Sequence, residues 1–188
     1  MEIVEPFPVF PGAEPAVVVP DVSVRVFGWD PESRRILMVH ERPPKPPGSG
    51  LPGGKVDGTT ESITAMIRKL LPVLSRLDPD GPEAAPLREA EPLCDERIWW
   101  TAIKETIEET GLLVLPYLYR EWKTYRNHRV DLIIARPLGG TMLTRSVETD
   151  DCGWFIPESI PADTYKSHRA MIHWASAQVG IQNTEETA

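Results

Sequence analysis

Cysteine is scarce in this chain, which has two, Cys94 and Cys152, among 188 residues. Two cysteines cannot form the disulfide framework typical of small secreted proteins, and we expect a reducing cytoplasmic location. The chain also lacks an apolar run near the roughly 18 residues that a membrane-spanning helix needs, so we expect no membrane partner. No basic segment precedes an apolar one near the N-terminus, and we expect no secretory signal.

Positive charge is also in short supply, since 20 lysines and arginines face 28 aspartates and glutamates, a net charge of -8. General nucleic-acid binding depends on basic contacts to phosphates, so nucleic acid is not an expected partner. A small anionic substrate stays possible, because bound cations would reverse the local field.

The order of predicted elements indicates an α/β domain. Apolar alternation or short apolar runs predict strands near residues 22–29, 35–41, 112–119, 130–135 and 148–156. Helices are predicted for 95–111 and 165–179, and a turn at Pro137–Gly140. We expect a proline-rich arm over 1–20, a single domain over 21–181 and a flexible tail over 182–188.

An acidic cluster lies on the predicted helix 95–111. Glu105, Glu108 and Glu109 are three and four positions apart, so they share one helical face. Three carboxylates this close repel one another, whereas a hard divalent ion such as Mg2+ takes oxygen ligands. The cluster therefore indicates a metal site, although a solvated acidic face is the ordinary alternative.

A glycine loop precedes this helix in the sequence, Leu51-Pro52-Gly53-Gly54-Lys55-Val56. The paired glycines allow the backbone to approach a ligand closely, and Lys55 brings a charge suited to phosphate. Arg42 and Lys45, at the start of the preceding proline-rich loop, are further candidates for phosphate contacts, although solvated loop charges are the commoner alternative.

The loop Gly53-Gly54-Lys55-Val56, followed by Lys104-Glu105-Thr106-Ile107-Glu108-Glu109-Thr110-Gly111-Leu112, resembles a Nudix box. In that pattern a glycine is followed, after five residues, by a glutamate, then seven residues, then Arg-Glu-apolar-any-Glu-Glu-any-Gly-apolar. Here Lys104 replaces the arginine and Thr106 the first apolar residue. Glu61 stands one place late, and residues 62–103 occupy the space of the seven.

The resemblance implies a Nudix-type α/β/α sandwich with a mixed sheet, here with a helical insertion over 63–98. It implies Mg2+ or Mn2+ held by Glu105, Glu108, Glu109 and the Gly53 carbonyl, with Glu61 as a further candidate. Lys104 would orient a carboxylate, as the arginine of the family does. The general base of such enzymes comes from the box or from a later loop, and Glu148 is our candidate; a surface role for Glu148 is the alternative.

The insertion contains an apolar stripe at helical spacing, Ile63, Ile67, Leu70, Leu74 and Leu77. Pro72 should kink or divide this helix, and residues 78–92 are predicted to be a loop. The stripe either packs on the core of the chain, or forms a homodimer contact or a cap over the substrate.

Two functions remain open from the sequence. The first is a metal-dependent hydrolase of the pyrophosphate bond in a nucleoside diphosphate linked to another group, with Gly54, Lys55 and Arg42 as substrate contacts. ADP-ribose, nucleotide sugars, dinucleoside polyphosphates and coenzyme A are candidate substrates. The second is a nucleotide-binding or regulatory module that keeps the fold without the chemistry, as the displaced Glu61 and Lys104 would favour.

Overall fold

The computed structural model describes residues 21–43, 45–125 and 128–180, with the side chains of 123–125 left out of the description. The predicted N-terminal arm and the predicted tail over 182–188 lie outside these residues. Within the described ranges, no helix combines the length and the hydropathy needed to cross a lipid bilayer.

A six-stranded mixed sheet forms the centre of the fold. Its strands are β1 (Asp21–Asp30), β2 (Arg35–Glu41), β3 (Ser49–Gly50), β4 (Leu112–Tyr125), β5 (His128–Gly140) and β6 (Thr149–Phe155). The spatial order is β3-β2-β1-β5-β4, and β6 also pairs with β2. β1 and β5 are parallel, whereas the other pairs are antiparallel. All five predicted strands are present, and β1 and β2 pair as an antiparallel hairpin.

Side chains alternate between the two faces of the sheet, and each face is covered by a helix. Phe27 and Ile134 pack against α4 (Lys166–Gln178). Val26 and Ile133, one position earlier in each strand, pack with residues of α3 (Glu96–Thr110) instead. Because β1 and β5 are covered on both faces, these two strands are almost uniformly apolar at their centres. The predicted α/β/α sandwich with a mixed sheet is confirmed.

The predicted box helix is α3, and its ends have identifiable caps. The Asp95 side chain accepts the Arg97 N–H at 2.8 Å, and Gly111 closes the helix in a left-handed conformation with φ of 73°. Thr106, which replaces an apolar residue of the pattern, is fully buried. Its hydroxyl donates to the Ala102 carbonyl at 2.7 Å, so the polar substitution leaves no unsatisfied donor.

The insertion forms α1 (Thr60–Leu70), a π-helical turn (Leu71–Ser75), a 3-10 turn (Pro82–Ala84) and the short α2 (Ala85–Glu89). Pro72 lacks the N–H that would continue α1, so the helix divides there as predicted. The prediction of a loop over 78–92 was wrong for 82–89. Ala84 and Leu87 of this part are buried in the cluster that holds α1, and this burial favours helical turns over an open loop.

The apolar stripe of the insertion packs on the chain's own core. Ile63, Ile67 and Leu71 are buried against Trp99 and Ile103 of α3. This burial supports the alternative in which the stripe packs on the core of the chain.

The prediction of a turn at Pro137–Gly140 was wrong. These residues continue β5, with Gly140 opposite Leu112 and Gly139 opposite Leu113 of β4. Pro137 has no N–H for the ladder, and the register shifts next to its partner Val114. Pairing with a buried strand thus outweighs the local turn preference.

Candidate active site

The glycine loop runs along β1. The Val24 N–H donates to the Gly54 carbonyl at 2.9 Å, and the Val56 N–H donates to the Val22 carbonyl at 2.8 Å. Gly53 has a φ of 146°, and a Cβ there would clash with the Val24 carbonyl oxygen. Only glycine fits this position without moving the strand.

The glycine loop meets the acidic face of α3. The Gly53 N–H donates to Glu109 Oε2 at 2.9 Å. A Cβ on Gly54 would overlap the carboxylate of Glu105. The two parts of the interrupted pattern are therefore in direct contact, and the insertion leaves this junction intact.

Two of the three clustered glutamates are buried, with exposed fractions of 7% for Glu105 and 2% for Glu109. Burial disfavours a carboxylate, and it raises the pKa of Glu105. For Glu109 burial raises the pKa to about 8, although the hydrogen bond from Gly53 opposes the shift. A buried acid with such a pKa needs either a proton or a cation.

Lys104 supplies part of that positive charge. Its Nζ lies 2.9 Å from Glu105 Oε1 and 3.2 Å from Glu108 Oε2. Burial opposes the charge of Lys104, but its bonds to these two carboxylates outweigh burial and raise the pKa of the amine. One nitrogen thus contacts both carboxylates, where the arginine of the family pattern would offer a planar fork.

A second lysine, Lys45, lies among carboxylates contributed by three other segments. Its Nζ is 2.9 Å from Glu41 Oε2, 2.9 Å from Glu148 Oε2 and 3.9 Å from Glu109 Oε1. Glu41 ends β2 and is 4% exposed. The site therefore contains five glutamates and two lysines, and it has net negative charge.

Glu148, the sequence candidate for the general base, stands on an ordered turn beside this cluster. Ser146 Oγ accepts the N–H groups of Glu148 and Thr149 at 3.1 and 3.0 Å. The Thr149 hydroxyl donates to the Glu109 carbonyl at 3.2 Å, which ties the turn to α3. The Glu148 side chain is 55% exposed, so it can meet both the buried cluster and solvent.

Three other predicted residues lie at or beyond the rim. Arg42 is next to the Glu148 turn, with its N–H donating to the Glu148 carbonyl at 3.0 Å. The Lys55 Nζ points to Asp21, at 3.1 Å. Glu61 lies in the first turn of α1 with an exposed side chain, and the described contacts of that side chain are with Thr59 rather than with the cluster. The structure brings Arg42 to the site and leaves Lys55 and Glu61 apart from it.

The carbonyl of Gly53, predicted as a metal ligand, already has a partner. Arg25 Nη1 donates to it at 2.5 Å. A carbonyl oxygen has two lone pairs, so one acceptor position is left for a cation.

The donor set fits a hard divalent cation. Glu109 Oε1 is buried, and within the described residues no hydrogen-bond donor reaches it. Oxygen donors from Glu105, Glu108 and Glu109, joined by a backbone carbonyl, are what Mg2+ and Mn2+ prefer. In the described part of the chain, no three acidic, histidine or cysteine side chains already converge as a ligand shell. Glu41, Glu105, Glu108, Glu109 and Glu148 lie instead within ion-pair distance of Lys45 or Lys104.

Sequence reasoning missed Glu41 and His168 as residues of the site, and it predicted Lys45 only as a phosphate contact. His168 is buried, with an exposed fraction of 6%. Its Nδ1 accepts the Leu51 N–H at 2.9 Å, so it also fixes the start of the glycine loop. Burial, followed by the charge of Arg25, lowers the pKa of His168 to about 3, which keeps this acceptor unprotonated. The only signal for Glu41 was an acid at the end of a buried strand.

Comparisons with known proteins support the fold through structure rather than sequence. No family model matches the chain, and no curated protein matches it in sequence. Among solved structures, a Nudix hydrolase from Nitrosomonas europaea aligns with a TM-score of 0.56 and 15% identity, over 86% of this chain and 73% of that chain.

Two further structures agree. The MutT protein from Methanosarcina mazei Go1 aligns with a TM-score of 0.53 and 16% identity, over 85% of this chain and 95% of that chain. An Ap4A hydrolase from C. elegans aligns with a TM-score of 0.51 and 15% identity, over 84% and 97%. This chain has the Nudix fold, as its motif predicted.

Proposed function

We propose that the protein is a metal-dependent hydrolase that cleaves the pyrophosphate bond of a nucleoside diphosphate linked to another group. One observation carries the proposal: the glycine loop contacts the buried glutamates of α3 directly, through the hydrogen bond from Gly53 to Glu109. A module that only bound nucleotides would gain nothing from several crowded carboxylates facing an anionic ligand.

The residues that would hold the cation are Glu105, Glu108 and Glu109 with the Gly53 carbonyl. When bound, Mg2+ or Mn2+ neutralises charge on phosphoryl oxygens and makes a coordinated water a better nucleophile. Lys104 keeps the carboxylates of Glu105 and Glu108 oriented toward one another through its two short contacts.

The remaining roles follow from position. Glu148 stands on an exposed turn at the edge of the cluster and can accept a proton from the attacking water. Arg42 is on the same rim with its Nε 3.7 Å from Asp150 Oδ1, and the remaining N–H groups of its guanidinium can contact a phosphate. Gly54 could contact the substrate only through its N–H, because its carbonyl accepts the Val24 N–H. Lys55 could contact the substrate only after its ion pair with Asp21 breaks. Glu61 could reach the carboxylate cluster only after a movement of α1.

The substrate classes that we propose to test follow from the pyrophosphate bond itself. They are ADP-ribose, nucleotide sugars, dinucleoside polyphosphates and coenzyme A. Nucleotide and phosphate release should be measured for each with Mg2+, with Mn2+ and with a chelator. Release from one class that depends on metal is the expected result, and it also identifies the substrate.

A specific observation favours a second function, a nucleotide-binding module without catalysis. Glu61 is exposed on α1 and lies apart from the carboxylate cluster. If no substrate is cleaved while a nucleotide still raises the melting temperature, the binding module replaces the hydrolase.

A further inference from the structure

Lys45, on the loop between β2 and β3, has its ammonium group among carboxylates that could also contact a metal cation. Lys45 Nζ lies within 3.0 Å of both Glu41 and Glu148, and 3.9 Å from the buried Oε1 of Glu109. Among the described residues, no other lysine, arginine or histidine nitrogen lies within 4 Å of that Glu109 oxygen. The ammonium group therefore supplies charge to carboxylates that a metal would also need.

The partners of Lys45 differ in their freedom to move. Glu41 and Glu109 are 4% and 2% exposed, so their carboxylates cannot turn to solvent. The Lys45 side chain is 40% exposed and has a flexible stem of four carbons. If a second cation enters, the lysine is the group that can leave.

We propose that Lys45 is a built-in competitor of the divalent cation: its ammonium group and the metal share Glu41, Glu109 and Glu148, and metal binding displaces Lys45 toward solvent. This inference rests on the proposed function, because it assumes a metal at the cluster. It adds Glu41, outside the motif, to the carboxylates that set metal affinity. In this proposal Lys45 lowers the affinity for the metal, whereas a purely structural ion pair would hold the carboxylates in place and favour metal binding.

The first test is the affinity for Mn2+, measured by the electron paramagnetic resonance of the free ion, which does not depend on turnover. Lys45→Met removes the competing charge at similar length, and we expect about tenfold tighter Mn2+ binding, equivalent to about 1.4 kcal/mol. Lys69→Met is the matched control, because Lys69 is exposed on α1 and carries the same charge away from the cluster. Lys45→Arg keeps the charge and should bind Mn2+ as the parent does.

A second variant tests whether Glu41 belongs to the shared set. Glu41→Gln in the Lys45→Met background should lose most of the gain in Mn2+ affinity. The same substitution in the parent should have a smaller effect on Mn2+ affinity, because there it weakens the binding of both Mn2+ and the competing Lys45 ammonium group. Equal effects in the two backgrounds would mean that Lys45 and the metal do not compete for Glu41.

A measurement on the unmodified protein guards against misfolding of Lys45→Met. Acetylation by a water-soluble active ester, quantified by mass spectrometry of peptides, reports the exposure of each lysine amine. Saturating Mn2+ should raise the acetylation of Lys45 several-fold and leave that of Lys69 unchanged. Unchanged acetylation of Lys45 under saturating metal would overturn displacement.

The outcomes separate this inference from the proposed function. Metal-dependent hydrolysis together with equal Mn2+ affinity in the parent and Lys45→Met overturns the competition and keeps the hydrolase. Mn2+ binding that appears only in Lys45→Met supports the competition. Absence of both Mn2+ binding and hydrolysis in every variant overturns both.

Discussion

The backbone N–H of Gly53 donates to the carboxylate of Glu109 at 2.9 Å, although the two residues are 56 positions apart. This bond connects the two parts of the motif across an insertion that contains α1 and α2. The chain enters α1 after the cap residue Thr59 and enters α3 after the cap residue Asp95. The contact between the two parts of the motif is therefore compatible with a long insertion at this point.

We expect Gly54→Ala to abolish most metal binding while the protein stays folded. The added Cβ would overlap the carboxylate of Glu105, which must then rotate away from its neighbours. Mn2+ affinity should fall by a factor of about 10 to 100, the range typical when the support of a metal ligand is lost. Gly139→Ala is the control, because its Cβ would meet only ordinary contacts at 3.5 Å and beyond. Parent-like affinity in Gly54→Ala would place the metal elsewhere.

We expect Glu108→Gln to reduce turnover by about 100-fold, since a loss of a single electrostatic group at a reacting phosphate is of that order. Glu108 is partly exposed and pairs with Lys104, so its replacement by an amide of the same size should leave the circular dichroism spectrum unchanged. Turnover of the best substrate is the measurement. Glu96→Gln, on the first turn of the same helix and exposed, should behave as the parent. Turnover within twofold of the parent in Glu108→Gln would contradict the assigned site.

Metal binding should release a proton at neutral pH. Burial raises the pKa of Glu109 to about 8, so at pH 7 this group holds a proton until the cation replaces it. We expect about one proton released per Mn2+ at pH 7 and clearly less at pH 9. Calorimetry in buffers of different ionisation enthalpy measures that number directly. Glu109→Gln removes the titrating group, and any residual metal binding by it should show no such release.

The same shift sets the pH dependence of the metal-free fold. The pKa of Glu109 is raised from 4.5 to about 8 on folding, so the folded state binds a proton more strongly than the unfolded chain. The contribution of Glu109 to stability is present below pH 4.5 and is lost as the pH rises to about 8. The melting temperature of metal-free protein should therefore fall across this range, and saturating Mn2+ should remove much of the fall. A rise across the range that Glu109→Gln abolishes would contradict the raised pKa.

The sequence predicted the parts of the site whose geometry is local. Glu105, Glu108 and Glu109 share a face of α3 because helical spacing requires it, and paired glycines mark a close backbone approach. Glu41 was not predicted, and Lys45 was predicted only as a phosphate contact, because the path of a proline-rich loop is set by distant partners. One of these is Glu148, which meets Lys45 from the turn before β6.

The same reasoning explains the errors in the fold. Pro137 and the glycines after it have a strong local preference for turns, and only their pairing with the buried start of β4 reveals a strand. Lys55 was expected at the phosphate because it follows the glycines. Its backbone bridges to Ser23 of β1, and its side chain pairs with Asp21 of the same strand.

The insertion should matter for folding more than for association. Ile67 is 4% exposed and is buried in the same cluster as Trp99 of α3, whereas Met66 beside it is 44% exposed. We expect Ile67→Ala to lower the free energy of unfolding by about 2 to 4 kcal/mol, the usual cost of a buried large-to-small change. Met66→Ala, the matched exposed position, should cost about 0.5 kcal/mol or less. Denaturant unfolding measures both, and sedimentation should show one oligomeric state for the parent and both variants. A loss of association in Met66→Ala without loss of stability would instead assign α1 to a dimer contact.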